Sequence, residues 1–239
     1  MNQPPKTYFN WSSGKDAALA FYLLSKSTKY NIDKLVTTVN AHYQRVSMHG
    51  LPIEFLKKQS EAIGIPLEMI ELPENPSMET YEQIMNKAMS QLKSKGYNYC
   101  GFGDIFLEDL KKYREQQMAI HEISCVFPLW KRDTKYLIKE FLQLGFKAII
   151  VCLNSEKLDE SFLGREIDES FIDDLPSDVD PCGENGEFHT FCYDGPIFKN
   201  PISFTQGERT YREYKISTKD DNETTKNRIG YWFLDLLTT

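Results

Sequence analysis

The chain has no paired cysteine motif. Its five cysteines (Cys100, Cys125, Cys152, Cys182 and Cys192) form an odd set without Cys-x-x-Cys spacing. That argues against a disulfide framework and against a thioredoxin-like site. No apolar run approaches the length of a membrane span, and the opening Met1-Asn2-Gln3-Pro4-Pro5-Lys6 lacks the apolar core of a signal peptide. A cytoplasmic protein away from membranes is therefore expected. No cluster of lysine and arginine stands out, and the net charge of −7 with a pI near 5.2 disfavours nucleic acid as substrate. Internal repeats and low-complexity tracts are missing too. What is present is an ordinary globular composition, 41% hydrophobic and 26% charged over 239 residues. This suffices for one large domain or for a main domain with a smaller addition.

The most informative segment is Tyr8 to Leu19, which reads as a short strand, a small-residue loop carrying Lys and Asp, and a helix. Ser12, Ser13 and Gly14 allow close approach of an anion, the helix start offers unpaired N–H groups, and Lys15 adds a full charge. It is not a Walker A loop, because Phe9 and Asp16 stand where that loop needs Gly and Ser or Thr. The bland alternative is an ordinary helix cap and turn.

Apolar runs alternate with helical patterns through the first two thirds. Strands are predicted at Thr7–Trp11, Lys34–Asn40, Leu67–Leu72 and Tyr99–Phe102, and helices at Lys15–Ser27, Pro52–Ile63, about 81–95 and Leu107–Glu122. Such alternation implies βαβ units and a parallel, Rossmann-like sheet that binds ligand beyond the carboxyl ends of its strands. Three polar loops leave those ends, at Ser12–Asp16, Asn40–Gly50 and Gly103–Asp104, and are expected to converge. Past Trp130 come a helix (Thr134–Leu144), a strand (Lys147–Leu153), an irregular acidic stretch and hairpins around Pro201–Phe204, Tyr211–Ser217 and Ile229–Leu236. The fold class is thus α/β, with a Rossmann-like parallel-sheet domain at 1–132 and a smaller α+β domain at 133–239.

A second constellation lies in Asp180–Phe191, which gathers two Gly, three acids, Asn185, His189 and Cys182. Zinc on Cys182, His189 and Cys192 is disfavoured, since no fourth ligand is evident and the spacing fits no usual finger. A tight glycine turn with Glu184 and Glu187 facing water is the structural alternative.

Together these stretches resemble the diphthine–ammonia ligases and their relatives among the PP-loop (N-type) ATP pyrophosphatases, a group of adenine nucleotide alpha hydrolase-like (HUP) proteins. The resemblance runs through SSGKDAALA (Ser12–Ala20), RVSMHG (Arg45–Gly50), GDI (Gly103–Ile105), PLW (Pro128–Trp130), LGRE (Leu163–Glu166) and CGENGEFHTFCYDGPIF (Cys182–Phe198). It implies an α/β ATP-binding domain with a C-terminal addition, and an amide made from a carboxylate and ammonia while ATP becomes AMP and pyrophosphate. Two positions depart from the usual Ser-Gly-Gly-Lys-Asp-Ser: Ser13 at the second and Ala17 at the last.

On that reading Ser12, Ser13, Gly14, Lys15, Asp16, Asn40, Gly103 and Asp104 hold the nucleotide, with Mg2+ on Asp16 and Asp104. Arg45, His49, Arg165 and Asn185 contact the acceptor or phosphate. Lys15, Glu184, Glu187 and His189 carry the chemistry, as phosphate stabiliser and as proton carriers for ammonium. Asp16 could equally favour a helix dipole and Asp104 cap a helix. Arg114 reads as a solvated helix arginine. The implied partners are ATP, ammonium and a carboxylate on a translation-factor-like protein or a small molecule; a homodimer is one option for the assembly. Rival readings are a PP-loop enzyme modifying tRNA, which would call for a basic surface, and a non-catalytic ATP or AMP sensor.

Overall fold

A computed structural model describes residues 3–46, 50–215 and 228–238. Its first half is built on a mostly parallel sheet. The strands are β1 (Lys6–Asn10), β2 (Asn31–Asn40), β3 (Arg45–Val46), β4 (Leu67–Leu72), β5 (Tyr99–Gly101) and β6 (Ser124–Val126). They run in the order β3-β2-β1-β5-β6, with β4 also paired to β2. All pairings are parallel except that of β2 with β3. The chain moves outward from β1 to β2 and β4 on one side and takes up β5 and β6 on the other, so the switch point lies between β1 and β5. Ligands of open α/β sheets bind there.

Helices α1 (Lys15–Ser25) and α2 (Ile53–Ile63) pack on one face, while α3 (Met78–Ser94) and α4 (Glu108–Ala119) cover the other. Local chemistry sets their ends. The Ser77 hydroxyl accepts the Thr80 N–H at the start of α3, and Gly64, at φ 82°, terminates α2 in the left-handed region that glycine enters without steric cost. Strand alternation decides which face each residue joins: Phe9 and Trp11 pack with α1, whereas Tyr8 points to Met89 and Met118 on α3 and α4.

The second half holds α5 (Thr134–Gln143), β7 (Lys147–Asn154), a 3-10 turn at Glu160–Phe162, α6 (Glu169–Asp174), β8 (Phe188–Asp194), β9 (Phe204–Lys215) and β10 (Arg228–Thr238). These strands form an antiparallel sheet in the order β8-β7-β10-β9. The acidic stretch read as irregular thus delivers an inner-packed strand, β8. Of the pieces predicted at 201–204 and 211–217, the second belongs, as far as Lys215, to one long strand, β9, whereas only Phe204 of the first does and residues 201–203 lie outside any strand. Residues 216 and 217 of the second piece lie outside the described residues. One apolar core joins the halves: Tyr22 of α1 meets Phe146 edge-on at 5.9 Å, and Phe55 of α2 meets Phe191 of β8 at 5.2 Å.

Candidate functional site

The loop between β1 and α1 is held from both halves of the chain. Ser13, fully buried, takes φ 75°, a left-handed conformation in which a Cβ is unfavourable. Its carbonyl accepts the Cys192 N–H at 3.0 Å and Gln59 Nε2 at 3.0 Å. Gln59, a wholly buried residue of α2, also takes the Trp11 Nε1–H at 2.7 Å and donates to the Cys192 carbonyl at 2.7 Å. The helix opens on Gly14, which has no side-chain cap. Instead the first helical amide, Lys15 N–H, donates to the Thr190 hydroxyl of β8 at 3.0 Å. The Ser12 hydroxyl accepts the Gly14 N–H at 3.4 Å.

Only 3% of Lys15 is exposed. Its ammonium meets both Asp16 oxygens, at 2.7 and 2.9 Å, and the Cys182 carbonyl, and it sits 5.3 Å from the Phe188 ring centre. Burial opposes the charge, but Asp16, together with Cys182 and Glu184, outweighs it and holds the Lys15 pKa above its ordinary value, while the same burial pushes the Asp16 carboxyl up. A buried ammonium stays charged here because it is paired.

Gly103 follows β5 and lies against the start of α1: a Cβ there would come within 3.0 Å of the Ala17 nitrogen and the Asp16 carbonyl carbon. Next to it, the nearly buried Asp104 pairs with Arg114 Nε at 3.0 and 3.1 Å. The amides of Ile105 and Phe106 then point at Glu184 of the acidic glycine loop, whose Oε1 accepts them at 2.8 and 3.3 Å. Burial drives the Glu184 pKa up to about 7 in spite of those two bonds. Glu187 is 1% exposed and holds its own loop: it accepts from the Asp180 and Asn185 amides at 3.1 and 2.9 Å and from Asn185 Nδ2 at 3.1 Å. His189 is lowered to about 4 by burial and then by the Lys15 charge, which leaves it neutral near pH 7.

Ser12, Ser13, Gly14, Lys15, Asp16, Gly103, Asp104, Glu184, Asn185, Glu187 and His189 therefore belong to one region. Three other candidates do not make contacts there. Asn40 braces its own turn by accepting the His42 and Tyr43 amides, each at 3.0 Å, and Arg45 crosses to Asp235 of β10 at 2.8 Å. Arg165 pairs with Asp174 at 2.9 Å beside the Phe162 and Phe171 rings. His49 lies outside the described residues.

Gln59, Thr190 and Arg114 are the functional candidates that sequence reasoning missed. A signal existed for Gln59: it follows Phe55 and Leu56 at the spacing of the inward helical face, where a polar residue needs partners. Among the described residues no group of three or more His, Cys, Asp or Glu is placed to hold a metal, and no helix is long and apolar enough to cross a membrane.

A parallel sheet with a serine-glycine-lysine loop at its switch point, roofed by a strand and acidic loop from an antiparallel C-terminal sheet, defines a two-part α/β protein with a loop site at the carboxyl ends of its strands. Comparison with known proteins narrows this. Residues 5–120 match the family described as "Diphthamide synthase N-terminal domain" and residues 133–220 the "Diphthamide synthase C-terminal domain". The diphthine–ammonia ligase of Homo sapiens is 28% identical over 124 residues, 42% of this chain and 46% of that protein. That of Bos taurus is 29% identical over the same length and shares. The Schizosaccharomyces pombe (strain 972 / ATCC 24843) ligase is 29% identical over 107 residues, 40% of this chain and 18% of its own. The chain thus spans less than half the length of these curated relatives. A solved U34-tRNA thiolase from Methanococcus maripaludis, with its 4Fe-4S cluster, aligns with TM-score 0.39 and 15% identity over 60% of this chain and 59% of its own. The chain belongs to the diphthine–ammonia ligase family.

Proposed function

We propose that the chain is an ATP-dependent, AMP-forming amide ligase that joins ammonia to a carboxylate. The observation that carries the reading is the meeting of two loops from separate halves: Glu184 sits on the Ile105 and Phe106 amides while Lys15 reaches the Cys182 carbonyl. The site fits a triphosphate on its own geometry. A carboxylate already occupies two successive amides as an anion would, and Gly103 lets the two strand-end loops approach to a distance that a Cβ would prevent. Asp16 and Asp104 would offer hard oxygens to Mg2+ in exchange for their present partners, Lys15 and Arg114, and Mg2+ would neutralise charge on the leaving pyrophosphate.

In the first step a substrate carboxylate oxygen attacks the α-phosphorus, a new P–O bond forms, and the α–β anhydride bond breaks with its electrons on pyrophosphate. The start of α1 and the Lys15 ammonium would supply the positive charge that stabilises it. In the second step the ammonia nitrogen attacks the acyl carbon, the C–N bond forms, AMP leaves, and a proton passes to a base. Glu184, raised to about 7, is matched to that proton, whereas His189 at about 4 is too weak a base to hold it. Glu187 positions the loop through its backbone bonds. All five cysteines are free thiols, which suits a reducing cytoplasm.

The name of the matched relatives makes diphthine the first acceptor to try. Purified protein with ATP, Mg2+, ammonium and a diphthine-bearing protein is expected to yield AMP and pyrophosphate in step with amide. ATP bound but unchanged under every acceptor tried would overturn the ligase reading in favour of a sensor.

A further inference from the structure

The C-terminal sheet ends in a strand with an open side. Strand β9 is last in the order β8-β7-β10-β9 and pairs with β10 alone. One bond shows which of its backbone groups β10 uses. The Ser155 N–H donates to the Gly230 carbonyl at 3.0 Å, so Gly230 turns its backbone groups toward β7, and the alternation of an antiparallel ladder turns those of Tyr231 and Phe233 toward β9. Their partners in register are Arg212 and Thr210. The residues that alternate with these two, Arg209, Tyr211 and Glu213, therefore direct N–H and C=O outward. Among the described residues none of the three bonds its main chain to a segment beyond the sheet.

Such an edge templates another strand unless the sequence blunts it. From Phe204 to Tyr214 the strand contains neither proline nor lysine. Leu234 faces Arg209 and Leu236 faces Gln206, so β9 carries one extra residue at Gly207–Glu208, and this bulge ends the regular edge on that side. The regular part is complementary to itself. When two copies run antiparallel with the two-fold axis at Tyr211, each Arg209 stands opposite Glu213 of the other copy, and the outward groups of all three residues pair. Moving the axis to Arg209 or Arg212 sets two guanidinium groups face to face, and moving it to Thr210 runs the pairing through the bulge. Arg209 now lies 3.6 Å from Glu160, and Glu213 lies 3.1 Å from Arg228. Both are exposed pairs of small worth, and each group has donors or lone pairs to spare.

We infer that β9 is the edge through which two copies of this chain join, antiparallel about a two-fold axis at Tyr211, with Arg209 of each copy against Glu213 of the other. The contact is isologous, so it closes at two copies, and it turns two four-stranded sheets into one continuous sheet. Nothing in this pairing depends on the ligase reading.

The test is sedimentation of the full chain over a concentration series, with two charge reversals. The parent is expected to pass from monomer to dimer. Arg209→Glu and Glu213→Arg each oppose like charges twice per dimer, and each should weaken dimerisation about tenfold or more. An equimolar mixture of the two variants should dimerise again, because every contact in the mixed pair is once more between opposite charges. Hydrogen exchange at the Tyr211 amide should slow as the parent dimerises, while the Thr210 amide, already bonded to β10, should not change. A parent that stays monomeric overturns the pairing and leaves the edge to a strand of another protein. A dimer indifferent to both reversals, or variants that fail to reassociate on mixing, would also overturn it, since the contact would then lie elsewhere.

Discussion

Ser13 and Glu184 each occupy an environment that their residue type resists. At φ 75° a Cβ costs about 1–2 kcal/mol, and glycine avoids that cost. Comparing Ser13→Gly with Ser13→Ala isolates the Cβ, because both remove the hydroxyl. The glycine variant should be more stable by about 1 kcal/mol, a difference of about 2–4 °C in melting temperature for a chain of this size. Equal melting temperatures would show that the loop relaxes. Glu184 makes a prediction in pH. Its pKa rises from 4.5 to about 7 on folding, so the native state binds more protons than the unfolded chain between those values, and stability falls as pH rises through that window. His189, lowered from 6.5 to about 4, works the other way over most of the same range. Glu184→Gln should therefore gain roughly 1–2 kcal/mol over the parent at pH near 8 relative to pH near 5, once partial exposure is discounted. Urea unfolding at the two pH values measures it, and parallel pH curves would assign the raised pKa to another group.

Gln59 is the bolt at the level of elements: one amide on α2 serves Trp11 after β1, the Ser13 carbonyl in the loop between β1 and α1 and the Cys192 carbonyl of β8. Gln59→Leu keeps the volume but orphans an indole N–H and removes a donor from two carbonyls. The expected loss is about 3 kcal/mol, with faster hydrogen exchange at the Lys15 and Cys192 amides. An unchanged denaturation midpoint would mean that water replaces the side chain. This bolt also marks where sequence reading stopped. Strands β1, β2, β4 and β7 and helices α1, α2, α3 and α5 were legible because their apolar spacing and punctuation are local. Strand β8 was hidden: Phe188 to Asp194 mixes His, Thr and Cys, directly after a glycine-rich acidic turn, and its burial comes from α1 and β7 rather than from any alternation. The two-residue β3 and three-residue β6 are too short to show a period, and the first half of β9 went unread because its exposed residues, Gln206, Glu208 and Arg209 among them, show no apolar alternation. The phosphate loop and acidic turn were visible as motifs, yet Arg114 was not, since its partner Asp104 lies off the spacing of helical neighbours.

Across the whole molecule the division at 132–133 separates sequence patterns more cleanly than it separates packing. The core that buries Phe9, Trp11, Leu19 and Phe55 continues without a break into Phe141, Ile149, Phe191 and Leu234, and β8 supplies hydrogen bonds to the loop after β1. Cutting the chain after Arg132 would uncover the outer side of α1 and α2. At about 2 kcal/mol for each large apolar side chain returned to water, losing a handful of such contacts approaches the whole stability of a typical domain. Residues 1–132 alone are thus expected to show no cooperative thermal transition and to bind a hydrophobic dye, whereas the full chain should unfold in a single calorimetric step. Two resolved transitions in the full chain, or a cooperative melt of the fragment, would show that the shared core adds little and that Lys15 can be held in place without β8.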